Sequence, residues 1–206
     1  MKAETRREKY RSELRRDILE AAREMFVDEG YESFSMRKLA QRIDYSAATI
    51  YQHFESKDDL FQCLVRESFA TLIELQSRTN ASLEQDPVSA LKRGLRTYVE
   101  FGLQHPNQYR FAFLMQSRAG ASYTPNEAFL SLERKVKRCI EAKLFQSPDA
   151  ETAAQSLWAA VHGVTSLLIV KPQFPWVTRE RLIGQVIDSA VHGLLKEPTK
   201  SRPRRA

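Results

Sequence analysis

The chain has 206 residues, 42% of them hydrophobic, with seven Gly and eight Pro, which suits one large domain or two small ones built from long helices. The formal charge of +6 sits at the ends: residues 1–16 carry seven Lys/Arg against three Glu, residues 196–206 five against one, and the body is slightly acidic. No apolar run reaches the roughly 20 residues of a membrane span, the N-terminus lacks the apolar stretch of a secretory signal, and Cys63 and Cys139 have no CxxC partner, so both read as reduced, buried residues of a cytoplasmic protein.

Residues 1–11 read as a basic, flexible arm. From Arg11 to Glu29, apolar residues recur at spacings of three and four (Leu14, Ile18, Ala22, Met25, Phe26), which is one face of a helix. Gly30 is a natural stop, because glycine readily takes the left-handed conformation that ends helices. Tyr31 and Phe34 are expected to pack beneath it. Ser35 caps a second helix that turns Met36, Leu39, Ala40 and Ile43 inward. Asp44-Tyr45 forms a turn, and Ser46 caps a third helix running through His53. Ser56 caps a fourth, with Asp58 and Asp59 in its first turn, where the helix dipole favours them.

That fourth helix continues through Leu75, and Asp86-Pro87 opens a fifth. His105-Pro106 breaks the fifth, since proline cannot continue the hydrogen-bond ladder. A short aromatic helix in NQYRFAFLM follows, then a loop, AGASYTP, and a helix over 126–145. Ser147-Pro148 starts another helix, which KPQFPWVT ends, and a last helix spans about 178–195. There is no strand pattern and no repeat. The fold class is all-α, with an N-terminal three-helix domain over residues 12–57, a larger domain of about six helices over 58–195, and a basic tail over 196–206.

Two short helices joined by a tight turn, the second bearing polar and aromatic side chains, make the pattern of a helix-turn-helix DNA reader. A reading helix must enter a groove about 12 Å wide, so its outer face must be slim and polar. Ala47 and Ala48 allow close approach, and Thr49, Tyr51, Gln52 and His53 bring hydroxyl, amide and imidazole groups. Thr49 and Gln52 are candidate base readers, a thymine methyl suiting the former and adenine N6/N7 the latter. Ile50 and Phe54 point the other way as anchors. Arg37 and Lys57 suit phosphate contacts, as do the helix N-termini at Ser35 and Ser46. The bland alternative, an ordinary surface helix, does not explain alanines set beside Tyr and Gln on a short capped helix. The basic N-terminal arm reads either as a phosphate or minor-groove contact or as a solvated end, and the C-terminal tail as a solvated end.

The run DYSAATIYQHFESKDDL, from Asp44 to Leu60, resembles the tetracycline-repressor (TetR) family of bacterial transcription regulators, and the match extends over about residues 12–62. By position the resemblance implies DNA contacts at Ser35, Arg37, Ala47, Ala48, Thr49, Tyr51, Gln52, His53 and Lys57. Two positions depart from the family pattern: Asp44 stands at a turn glycine, and Ala48 at a frequent glycine. Asp tolerates the left-handed region better than most residues, so the turn should survive.

The resemblance implies that the remaining helices form a regulatory and dimerisation domain, and the pattern Trp158…His162-Gly163 is similar to a WHG-type C-terminal domain. Tyr98, Phe101, Phe111, Phe113, Met115, Trp158 and His162 are candidates to line a cavity for an apolar or aromatic effector, with ordinary core as the alternative for each. For His162 that alternative is a ring satisfied by a backbone carbonyl or a hydroxyl. Gly163 is expected to let a neighbouring helix come close. Leu182, Ile183, Val186, Ile187, Ala190, Val191 and Leu194 form an apolar stripe on the last helix, the expected homodimer interface of a four-helix bundle. The expected partners are thus an operator in double-stranded DNA, a second copy of the chain and a small effector. No membrane partner and no cofactor or metal is implied. No GxSxG, HExxH or P-loop run is present, and His53, His105, His162 and His192 lack metal-ligand spacing, so nothing calls for an enzyme.

Overall fold

The computed structural model describes residues 6–80, 86–115, 127–146 and 149–196. The expectations for residues 1–5, the loop 119–125, the start at 147–148 and the tail from 197 onward lie outside the described residues. The chain is all-α, in the order α1 (Arg6–Ser33), α2 (Met36–Arg42), α3 (Ala47–Tyr51), α4 (Lys57–Asn80), α5 (Pro87–Gln104), α6 (Pro106–Tyr109), a π-helical turn (Arg110–Leu114), α7 (Glu127–Glu141), α8 (Ala150–Val170) and α9 (Arg179–His192). Among the described residues the only extended pairing is one antiparallel bridge, Phe145 with Leu195.

Helix α1 starts at Arg6, inside the segment expected to be a flexible arm. Its first turns hold Arg, Lys and Glu, which favour the helix although they bury nothing. Gly30 ends the regular part as expected, at φ 78° and ψ 169°, and a short helical piece follows. Asp44 occupies the turn between α2 and α3 at φ 57°, a left-handed conformation that family members usually assign to glycine. Asp149, two residues later than expected, starts α8: its carboxylate accepts the amides of Glu151 and Thr152 at 3.1 and 3.2 Å. Helix α9 ends at His192, short of the expected 195, because the chain turns to pair with the segment after α7. The Gln146 amide donates to Leu194 O, and the Lys196 amide to Leu144 O, both at 2.9 Å.

The described residues form two compact units. The first comprises residues up to Thr71 together with those from His105 to Met115, so its border lies inside α4 and not at the expected 57/58. Its core joins Leu14, Ile18, Phe26, Phe34, Leu39, Ile50, Phe54, Phe61 and Leu64 with Phe111, and Met115 packs against it. Phe111, a candidate for an effector cavity with ordinary core as its alternative, is therefore part of the reader's own core, and Met115, another such candidate, lies against that core. Phe113 lies in the same unit, its ring 5.3 Å from that of Phe69 and 5.0 Å from that of Tyr109.

The second unit packs α5 against α7, α8 and α9. Tyr98 and Phe101 on α5, Val136 and Cys139 on α7, and Leu157, Val161 and Leu168 on α8 are buried in it. By length and composition α8 does reach the size of a membrane span, contrary to the sequence reading, although it packs in this bundle. The apolar stripe of α9 splits in two. Ile183, Ile187 and Val191, spaced by four, are buried within the unit. Ile187 and Val191 thus close the monomer's own core and are not free to form a dimer face. Leu182, Val186 and Ala190 on α9, and Leu194 just past it, are only half-buried.

Candidate nucleic-acid interface

Helix α3 is only five residues long, and its position depends on its ends. At the N-terminus, Ser46 Oγ accepts the Thr49 amide at 3.1 Å and lies 2.9 Å from the Thr49 hydroxyl. Ser35 does the same for α2, accepting the Lys38 amide at 3.2 Å. Each cap satisfies one of the amides that a helix leaves open, with a stabilisation of about 1 kcal/mol. Ile50 and Phe54 are 0% and 1% exposed and bind the inner face to the core. The outer face carries Ala48, Tyr51 and Gln52, all exposed, and half-buried Ala47, Thr49 and His53.

The C-terminal end of α3 is held by Arg15 of α1, a residue that sequence reasoning missed. Its guanidinium donates to the His53 carbonyl at 3.0 Å and to Cys63 Sγ at 3.3 Å, and lies 4.2 Å from the centre of the Phe54 ring. A cation is favoured at that end of a helix, where carbonyls are left without amide partners. No local pattern around Arg15 separates it from its basic neighbours. Burial, with the charges of Arg11 and Arg15, holds the His53 imidazole below its ordinary pKa, so it is neutral at pH 7 with one donor and one acceptor.

Arg37 is exposed at the start of α2 and has no partner among the described residues, nor do the side chains of Tyr51 and Gln52. Lys57 is placed differently. Its ammonium sits 4.2 Å from the centre of the Tyr31 ring and donates to the Glu32 carbonyl at 3.4 Å. Beside α3, the Tyr10 and Tyr45 hydroxyls lie 3.3 Å apart, and that hydrogen bond is the main cause of a raised Tyr45 pKa. Arg7, Tyr10 and Arg11 of α1 face Thr49, Gln52 and His53 across a groove of about 660 Å³. Helix α2 is tied down by ion pairs from Arg42 to Glu24 at 2.7 Å and from Lys38 to Glu29 at 2.9 Å. The result is a slim, uncharged outer face on α3 with Arg7 and Arg11 beside it.

Of the remaining effector candidates, Tyr98, Phe101, Trp158 and His162 all fall in the second unit. Trp158 Nε1 donates to the Tyr98 hydroxyl at 3.2 Å, and that hydroxyl lies 3.1 Å from His162 Nδ1. His162 is thus satisfied by a hydroxyl, and burial holds its pKa below the ordinary value. An added Cβ on Gly163 would meet nothing within 4 Å, so among the described residues no neighbouring helix uses the space there.

Residues 18–64 match the model of bacterial regulatory proteins of the tetR family, and residues 91–194 match the tetracyclin repressor-like C-terminal domain. The chain belongs to the tetR family. It is a DNA-binding transcriptional regulator and not an enzyme. The HTH-type transcriptional repressor AcnR of Corynebacterium diphtheriae is 39% identical over 61 residues, 30% of this chain and about a third (32%) of that protein. The HTH-type transcriptional activator FasR of Mycolicibacterium smegmatis is 26% identical over 188 residues, covering 90% of this chain and 81% of FasR. The solved SmeT–triclosan complex has the same fold, with a TM-score of 0.65 at 20% identity over 93% of this chain and 99% of SmeT. The tetR relatives thus include both a repressor and an activator.

Proposed function

We propose that this tetR regulator works as a homodimeric repressor that leaves a palindromic operator when a small apolar or aromatic effector binds. The observation that carries the reading is α3 itself: capped at both ends, anchored by Ile50 and Phe54, and, among the described residues, bare of side-chain partners at Tyr51 and Gln52. One such helix reads too few base pairs for a specific site. Two copies read half-sites spaced by about 34–36 Å or a multiple of that. Thr49 and Gln52 would address base edges, with Ala47 and Ala48 setting the approach, His53 at the flank, and Ser35, Ser46, Arg37, Tyr51 and Lys57 holding phosphates.

The dimer face is the half-buried stripe of Leu182, Val186, Ala190 and Leu194 on and just past α9, and the open space at Gly163 on α8 gives a second helix room to approach. Tyr98, Phe101, Trp158 and His162 are the effector candidates: an apolar setting with three fixed polar atoms, the usual make-up of a small-molecule site. That SmeT was solved with triclosan supports an effector of this kind. The chain passes between the units three times, within α4, at the α5–His105 junction and between Met115 and Glu127, and the effector would act through these connections. It must bind the form that does not hold DNA more tightly than the form that does. The site of action is the cytoplasm.

Selection of bound sites from random DNA tests the first half of this reading, and a two-fold-symmetric sequence is expected. The second half is tested by titrating an effector found in a thermal-shift screen. Equal effector affinity with and without operator would refute release. The alternative, an effector-independent regulator or activator governed by a protein partner, would show a palindromic site but no ligand shift.

A further inference from the structure

The connection between α8 and α9, residues 171–178, carries aromatic side chains where a surface loop usually carries polar ones. Phe174 is 56% exposed and Val177 51%. The last turn of α8 adds Leu167 and Val170, each 51% exposed. The loop is nevertheless firmly built. Trp176 Nε1 donates to the Lys171 carbonyl at 2.9 Å, the Phe174 amide donates to the same carbonyl at 3.2 Å, and the Phe174 and Trp176 rings lie 4.3 Å apart. Pro172 and Pro175 fix two more backbone angles, so little conformational freedom is left to lose on binding.

We infer that this strap is a clasp for a second copy of the chain, with Phe174 and Trp176 of each protomer buried against the other. The inference rests on the homodimer proposed above and extends its interface. Two observations select this occupant. Leu167 and Val170 enter the strap from α8, and Leu182 and Val186 leave it on α9, so the patch is continuous in sequence with the proposed dimer stripe. Half of each exposed side chain amounts to on the order of 100 Å² for residues of this size. With Trp176 the patch then approaches about 500 Å², more than half of the roughly 800 Å² that each partner gives to a standard interface. An apolar patch of that extent on a preorganised loop marks a contact surface.

The test is the dimer dissociation constant of the full chain by sedimentation velocity, for wild type, Phe174→Ala and Val186→Glu. Phe174 is exposed, so its loss should leave the monomer's thermal midpoint unchanged and raise the constant about 10- to 100-fold. In a Trp158→Phe background, Trp176 emission should shift to the red as the protein is diluted through that constant. If Val186→Glu splits the dimer while Phe174→Ala and the Trp176 emission change nothing, the dimer stands and the clasp is overturned. If Phe174→Ala splits it and Val186→Glu does not, the clasp stands and the α9 stripe fails. A wild-type chain that is monomeric at every concentration overturns both. Binding of Trp176 to lipid vesicles with an unchanged dissociation constant also overturns the clasp.

Discussion

Arg15 should support the reading helix more than any residue on that helix's own surface. Its guanidinium bonds the last carbonyl region of α3 at 3.0 Å, meets Cys63 Sγ and stacks 4.2 Å from the Phe54 ring. A hydrogen bond from a charged donor contributes about 1.5–3 kcal/mol, and a cation–π contact about 0.5–1 kcal/mol at a partly exposed site. Arg15 is only half-buried, which places the expected loss for Arg15→Met near the low end, about 2 kcal/mol. Methionine keeps the packing of the stem and removes the donors, so the loss isolates the charge and its bonds. For a chain of this size that corresponds to a thermal midpoint lower by about 4–8 °C. Arg15→Lys should recover less than half, because an ammonium cannot reach carbonyl, sulfur and ring together. A second readout is independent of stability. The Arg15 charge is one of the causes that depress the His53 pKa, so in Arg15→Met the His53 titration followed by NMR should move upward. A loss below about 0.5 kcal/mol with an unmoved His53 titration would refute the assignment of Arg15 as the clamp of α3.

Gln52→Ala should change base preference at one operator position, whereas Tyr51→Phe and Lys57→Ala should weaken all sequences alike. The Lys57 change should also lower the salt slope by about one and stability by under about 1 kcal/mol through loss of the Tyr31 contact, readable by binding titrations at several salt concentrations. Equal losses on all DNA for Gln52→Ala would remove it from base reading. Asp44→Gly should leave stability within about 0.5 kcal/mol of wild type, since relief at φ 57° offsets the greater freedom of the unfolded chain. Asp44→Val should lose about 1–2 kcal/mol in chemical denaturation. Stability should also fall on mild acidification. Burial lowers the His162 pKa in the folded state, so the unfolded chain binds the proton more readily, and stability is lost as pH falls below the unfolded value of 6.5. A His162→Gln variant should flatten that limb between pH 7 and 5.5, leaving the part due to His53. The caps Asp86 and Asp149 act in a separate window, losing their contribution only as pH falls below 3.8.

The helices and the reader were legible in the sequence because their signals are local. Ser35, Ser46 and Asp86 cap within three residues of themselves, and Ile50 and Phe54 lie one helical turn apart on one face. Asp44 is left-handed, at the position where the family resemblance puts a turn glycine. What stayed hidden depends on contacts far apart in the chain. Arg15 meets His53 38 residues away, and Lys57 meets the ring of Tyr31. Residues 194–196 leave the helical pattern because they pair with 144–146, although their apolar spacing continues that of α9. The α9 stripe shows the limit most clearly. Periodicity identified seven apolar positions, but it cannot say which of two adjacent faces meets the chain's own core. The structure gives Ile183, Ile187 and Val191 to the core and leaves Leu182, Val186 and Ala190 half-covered.

Phe111 carries the largest consequence of such a distant contact. The three-helix reader expected from the sequence ends at residue 57, yet its core is closed by a side chain from the π-helical turn. Phe111 is 1% exposed, edge-on to Phe26 at 6.0 Å and 5.7 Å from Phe61, in a cluster that also includes Phe34 stacked at 3.9 Å on Phe26. Its removal takes away a whole ring from between two others and leaves a cavity, so Phe111→Ala should lose about 3–5 kcal/mol. Were Phe111 instead an effector contact, the substitution would change ligand affinity and leave the unfolding of the free protein within about 0.5 kcal/mol of wild type. Chemical denaturation of the unliganded chain therefore decides between the two roles. The same reasoning predicts that a fragment ending at residue 80 is less stable than the corresponding unit of the full chain, because it lacks this ring. Adding residues 105–115 back as a separate peptide should raise the fragment's thermal midpoint, and a Phe111→Ala peptide should not.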